Sequence, residues 1–61
     1  MAQSTKSIRD FIKENKVELQ QTINKRLNKP ENEKQTNEDC RLWILNDEPL
    51  YNWARSEGVN I

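Results

Sequence analysis

The sequence predicts an all-α fold: one long N-terminal helix followed by two short helices, forming a small helical hairpin or three-helix domain. Three observations carry that expectation. Apolar residues recur at spacings of three and four through the first half, with no Gly or Pro between residues 5 and 27 to interrupt them. A polar stretch containing Pro30 follows, and the second half is punctuated by residues that cap, start and end helices.

The first helix is expected at about 5–28, with Ser4 or Thr5 as its N-cap. At 100° per residue, Ile8, Phe11, Ile12, Asn15, Leu19, Ile23 and Leu27 gather into one stripe, and Val17 falls on the opposite face. Such a helix is about 34 Å long. Its outer side is too polar for it to stand alone, so the stripe must bury against something.

Residues 29–36 form the main loop, because the run from Asn28 to Gln35 has no apolar side chain and Pro30 drives Lys29 out of helical geometry. Thr36 or Asn37 then caps a second helix at about 37–45, with Glu38 and Asp39 at the positive end of its dipole. Cys40, Leu42, Trp43, Ile44 and Leu45 cover more than one face of this element. It is therefore expected to be the most buried of the three, or to lie between two surfaces. Asn46 closes it, Asp47 caps the next, and Pro49 is tolerated only in a first turn, which sets a third helix at about 48–56. Leu50, Trp53 and Ala54 share one face of that helix. Gly58 supplies the left-handed residue that ends it, and Val59 the hydrophobic contact that accompanies such an ending.

Residues 1–61 are read as a single small domain, and a chain this short buries only about 60% of its unfolded surface. One third of the residues are apolar, and in so small a core burial and ordering nearly cancel. Some supplement is needed. Cys40 is the only thiol and there is no His, so neither a disulfide nor a metal centre supplies it, and no cofactor is expected. Association with a protein partner or with further copies of the chain remains, and a homo-oligomer is the expectation. The lone cysteine and the absence of an apolar segment near Met1 point to the cytoplasm, and no apolar run approaches the roughly 20 residues that span a bilayer.

The net charge is zero, from ten basic and ten acidic side chains, so there is no general attraction to nucleic acid or anionic lipid. The distribution is uneven: residues 1–35 carry eight basic and five acidic groups, and residues 36–61 two basic and five acidic. The halves thus differ in sign.

Catalysis at neutral pH most often uses histidine, which is absent. Cys40, beside Leu42 and Trp43, reads as a small core residue, and Asp47 and Glu48 read as capping groups. A non-enzymatic protein is expected. Its candidate interface residues are the aromatic anchors Trp43, Tyr51 and Trp53, with the acidic groups Asp47, Glu48 and Glu57. An alternative site is the basic cluster Lys25, Arg26, Lys29 and Lys34, which could grip a phosphate backbone although Glu31 and Glu33 are interleaved with it.

The block Arg41-Leu42-Trp43, Leu45-Asn46-Asp47-Glu48, Leu50-Tyr51 and Trp53-Ala54-Arg55-Ser56-Glu57-Gly58-Val59 resembles the tail of short uncharacterised reading frames in phages and prophages. The opening Ser7-Ile8-Arg9-Asp10-Phe11-Ile12-Lys13-Glu14-Asn15 is similar to how such frames begin. This resemblance implies no catalytic or binding residues. It implies a setting in which small proteins act by occupying a host protein, such as a polymerase or a defence complex. The resulting expectation is a helical interaction protein that binds and modulates another protein, possessing self-association; the alternative is a nucleic-acid-associated regulator using the cluster near residues 25–34.

Overall fold

The computed structural model describes residues 5–61, which form four α-helices: α1 (Ile8–Glu14), α2 (Lys16–Leu27), α3 (Asn37–Asn46) and α4 (Glu48–Ser56). The all-helical class is as the sequence predicts, but the single long N-terminal helix is divided in two. Asn15 adopts φ −121° and ψ 27°, outside the helical basin, and its side-chain amide donates to the Phe11 carbonyl at 3.0 Å. The Asn15 backbone N–H donates to the same carbonyl, and Leu19 N–H donates to the Asn15 carbonyl at 2.8 Å, so hydrogen bonding carries across the break. Asparagine's short amide competes with the backbone for partners, which is why it interrupts a helix that has no Gly or Pro.

The start of α1 also differs from expectation. Ser7 is the N-cap, its hydroxyl accepting from Asp10 N–H at 3.1 Å; Ser4 lies outside the described residues and Thr5 precedes the helix. The cause is a long-range contact. Lys6 N–H donates to the Gly58 carbonyl at 2.9 Å and Asn60 N–H donates to the Lys6 carbonyl at 3.2 Å, an isolated parallel bridge between Lys6 and Val59. An extended Lys6 cannot begin a helix.

The ends of α2 and α4 close by the same device. At the end of α2, Asn28 sits at φ 59° and ψ 41° while Lys29 N–H reaches back to the Asn24 carbonyl and Asn28 N–H to that of Lys25. At the end of α4, Gly58 sits at φ 91°, Val59 N–H reaches the Ala54 carbonyl and Gly58 N–H that of Arg55. Each is a Schellman ending, in which a left-handed residue lets two amides turn back onto otherwise orphaned carbonyls. The cost of positive φ is small for glycine and tolerable for asparagine.

The caps of α3 and α4 follow the sequence. Thr36 accepts from Asp39 N–H at 3.0 Å, and Asp47 accepts from Leu50 N–H at 3.3 Å, with Pro49 in the first turn. α3 packs against α1, α2 and α4. The core comprises Phe11, Ile12, Leu19, Ile23, Cys40, Ile44, Leu50, Ala54 and Val59, with Ile8, Trp43, Trp53 and Ile61 packed on it. Phe11 meets Trp53 edge-on, ring centroids 4.9 Å apart at 74°. Leu27, expected in the buried stripe, is 41% exposed at the helix end, and Val17 is 67% exposed on the outer face.

Candidate functional site

α3 has two apolar faces, and the fold covers only one of them. Cys40 and Ile44 are fully buried, whereas Leu42 is 46% and Leu45 40% exposed. The element expected to be most buried, or sandwiched, therefore presents leucines outward. Leu42, half-buried Trp43, Asn46 and Asp47 line a cleft of about 250 Å³. Glu38 and Asp39 stand one turn before Leu42 on the same helix; Glu38 accepts from Arg41 at 3.3 Å.

The three aromatic candidates do not form one group. Trp43 borders the outer cleft of α3, while Trp53 packs its ring against Phe11 between α1 and α4. Tyr51 is half-buried and carries the Arg55 guanidinium 5.9 Å from its ring centre, a cation–π distance. All three rings fall within eleven residues of the chain, but a helix corner at Asp47 separates Trp43 from the other two.

The acidic candidates divide likewise. Asp47 is occupied twice, accepting from Leu50 N–H as a cap and from the Arg26 guanidinium at 3.0 Å. Glu48 is exposed at the start of α4. Glu57 belongs to another neighbourhood, near Lys6. The Lys6 ammonium donates to Glu14 at 2.8 Å, and its pKa is held above the ordinary lysine value first by that hydrogen bond, against desolvation, with the charges of Glu14, Glu57 and Asp10 adding to the rise.

Lys25, Arg26, Lys29 and Lys34 are all exposed. They do not make a strong basic surface. Lys25 and Arg26 line a depression of about 530 Å³ together with Glu18 and Glu31, so its walls carry two charges of each sign, and Arg26 is already paired with Asp47.

Sequence reasoning missed the polar cluster that shapes this end of the molecule. Asn24 is fully buried; its side-chain N–H groups donate to the Glu31 and Glu33 carbonyls at 2.9 Å each, and its oxygen accepts from the Gln35 amide at 2.7 Å. Gln35 N–H in turn donates to the Gln20 side-chain oxygen at 2.9 Å. A loop without apolar side chains is thus held to α2 by amides. The available signal was the spacing of Gln20 and Asn24, four residues apart on one helix face.

Cys40 is buried, and loss of hydration pushes its thiol pKa above the ordinary value, with Lys16 pulling it down and Asp39 pushing it up. A thiol held neutral beneath side chains is a poor nucleophile. Among the described residues no group of three or more His, Cys, Asp or Glu side chains could hold a metal ion, and no helix is long and apolar enough to cross a membrane. Searches against family models, curated proteins and solved structures found no match to this chain.

Proposed function

We propose that this chain is a non-enzymatic binding protein whose docking face is the outer side of α3. The observation that carries this reading is the pair of exposed leucines on α3: Leu42, which with the half-buried Trp43 lines a cleft of about 250 Å³, and Leu45, three residues further along the helix. Leucines three apart on a helix, with an indole alongside, are the elements that anchor a partner helix laid into a groove. The exposed acidic residues Glu38 and Asp39 lie along the same face. The partner is accordingly a protein helix with an apolar stripe flanked by lysine or arginine, for charge complementarity at the rim fixes orientation and speeds encounter. The resemblance to phage and prophage reading frames supports a host protein as that partner. The alternative through Lys25, Arg26, Lys29 and Lys34 is less favoured, since Glu18, Glu31 and Asp47 offset those cations.

The test is a tagged pull-down from bacterial lysate treated with nuclease, comparing wild type with Leu42→Lys/Leu45→Lys, together with sedimentation of the purified protein. A stoichiometric protein captured by the wild type and lost in a variant that keeps its helical circular dichroism supports the proposal. Equal capture by both proteins overturns the α3 face. A dimer of the wild type that the variant abolishes assigns the face to a second copy instead.

A further inference from the structure

We infer that the furrow between α1 and the N-terminal half of α3 binds the phosphate backbone of a nucleic acid duplex. Arg9, Lys13, Lys16 and Asn37 line a depression of about 480 Å³, and a second, of about 240 Å³, adjoins it, sharing Arg9 and Asn37 and extending to Ile8, Ile12, Glu38 and Arg41. Four cations thus face one carboxylate, and that carboxylate, Glu38, is already engaged by Arg41. Lys13 and Lys16 also line a neighbouring depression of about 490 Å³ with Glu14 and Glu18, of which Glu14 is engaged by Lys6 at 2.8 Å. The excess of cations in the furrow itself contrasts with the neutral walls around Lys25 and Arg26. On a chain with zero net charge, this basic surface arises where Arg9, Lys13 and Lys16, spaced four and three apart in the sequence, are brought beside α3.

The chemistry of the furrow selects the ligand. Arg9 and Lys13 are exposed and make no ion pair among the described residues. Lys16 donates one hydrogen bond, to Asn37 Oδ1 at 2.7 Å, which leaves two of its three donors. No aromatic ring lines either depression, so there is no platform for stacking an unpaired base. The larger depression has no apolar side chain in its lining, and the two in the smaller one, Ile8 and Ile12, are half-buried and buried against the core, which leaves little apolar surface for an acidic protein segment to anchor on. A row of cations with no stacking platform and little apolar surface suits a ligand whose anionic groups repeat and whose bases stay paired. Phosphate contacts of this kind position a protein on a duplex without reading its sequence. The furrow shares Glu38 with the α3 docking face but neither Leu42 nor Leu45, so the two readings are tested by different variants and either can fail alone.

The test is a titration of the isotope-labelled full chain with a mixed-sequence DNA duplex, followed by backbone NMR and repeated at two salt concentrations. The expected result is shift changes centred on Arg9, Lys13, Lys16, Asn37 and Arg41. With three phosphates neutralised, affinity should fall about 40-fold between 50 and 200 mM salt. Arg9→Gln/Lys13→Gln, with unchanged helical circular dichroism, should weaken binding and reduce that salt effect to about 4-fold; Lys25→Gln/Lys29→Gln should change neither. No shift at 50 mM salt, shifts centred on Lys25 to Lys34, or equal binding by the Arg9→Gln/Lys13→Gln variant overturns the inference. So does a polyglutamate peptide that displaces the duplex at equal charge concentration.

Discussion

The Gln35 side-chain amide donates to Asn24 Oδ1 at 2.7 Å, and both residues are buried although neither is apolar. With the Asn24 donations to Glu31 and Glu33, this bond fastens the whole 29–36 loop to α2. No buried side-chain nitrogen or oxygen among the described residues lacks a partner. Complete satisfaction is what makes a polar cluster acceptable in so small a core.

Replacing Asn24 with Leu therefore leaves two carbonyls and one amide to find water or stay unpaired. The expected loss is about 2–3 kcal/mol of stability, the penalty for stranding buried polar groups. Urea unfolding measures it, and amide exchange in the loop should accelerate more than in α4. A loss below about 0.5 kcal/mol would mean that water replaces these bonds without cost.

Trp53 and Leu42 should respond oppositely to truncation. Trp53→Ala removes the edge-on contact with Phe11 and opens a space between α1 and α4. A cost of about 2–3 kcal/mol is expected, somewhat below the usual range for a fully buried indole because the ring is half-exposed. Leu42→Ala should cost less than about 1 kcal/mol, since the side chain has little to lose on the protein's own surface. Thermal unfolding of both variants gives the comparison; a larger cost at Leu42 would place that leucine in the core of an associated form.

Asp47 joins a helix cap to an ion pair, and two substitutions separate the roles. Asp47→Ala removes both and should cost about 1–2 kcal/mol, chiefly from the cap. Arg26→Gln removes only the pair with Asp47, in which the arginine is 41% exposed, and should cost less than about 1 kcal/mol. Combining the two in a double-mutant cycle should return a coupling energy of a few tenths of a kcal/mol that shrinks in salt. A coupling that salt does not change would show that the pair is better desolvated than its exposure indicates.

Burial raises the Cys40 pKa above its ordinary value of 9.0, so the folded protein holds the thiol protonated where the unfolded chain ionises. The unfolded state then binds fewer protons, and stability, fully present below pH 9.0, declines as pH rises through the folded pKa. Unfolding monitored in urea across that range should show the decline, and Cys40→Ser should remove this part of it. Alkylation by a thiol reagent should likewise proceed at the rate of unfolding rather than at that of a free thiol, a difference read by mass spectrometry. Rapid labelling of the native protein would show that the thiol is reached without unfolding.

The helices that were legible in the sequence are those whose signals are local. Thr36, Asp47 with Pro49, and Gly58 act within one turn of themselves, so caps and endings of α3 and α4 are encoded by neighbouring residues and need no tertiary contact. The positions of Phe11, Ile12, Leu19 and Ile23 on one stripe are likewise a matter of spacing, and all four are buried. Among the candidate residues, sequence showed which types were present but grouped them by distance along the chain. The corner at Asp47 and the pairing of Arg26 with Asp47 redistribute them in space.

By itself, then, the sequence determined that the chain is helical, where its second half turns, and that the stripe of Phe11, Ile12, Leu19 and Ile23 must seek cover. Only the tertiary structure decided where the first helix begins and breaks, because the Lys6–Val59 bridge joins opposite ends of the chain and Asn15 chooses its partners in that packed setting. It alone decided that Asn24 goes inside while Leu42 and Leu45 stay out. Burial depends on which surfaces meet, and a polar amide with every bond satisfied can occupy a core that has no partner element left to cover a leucine.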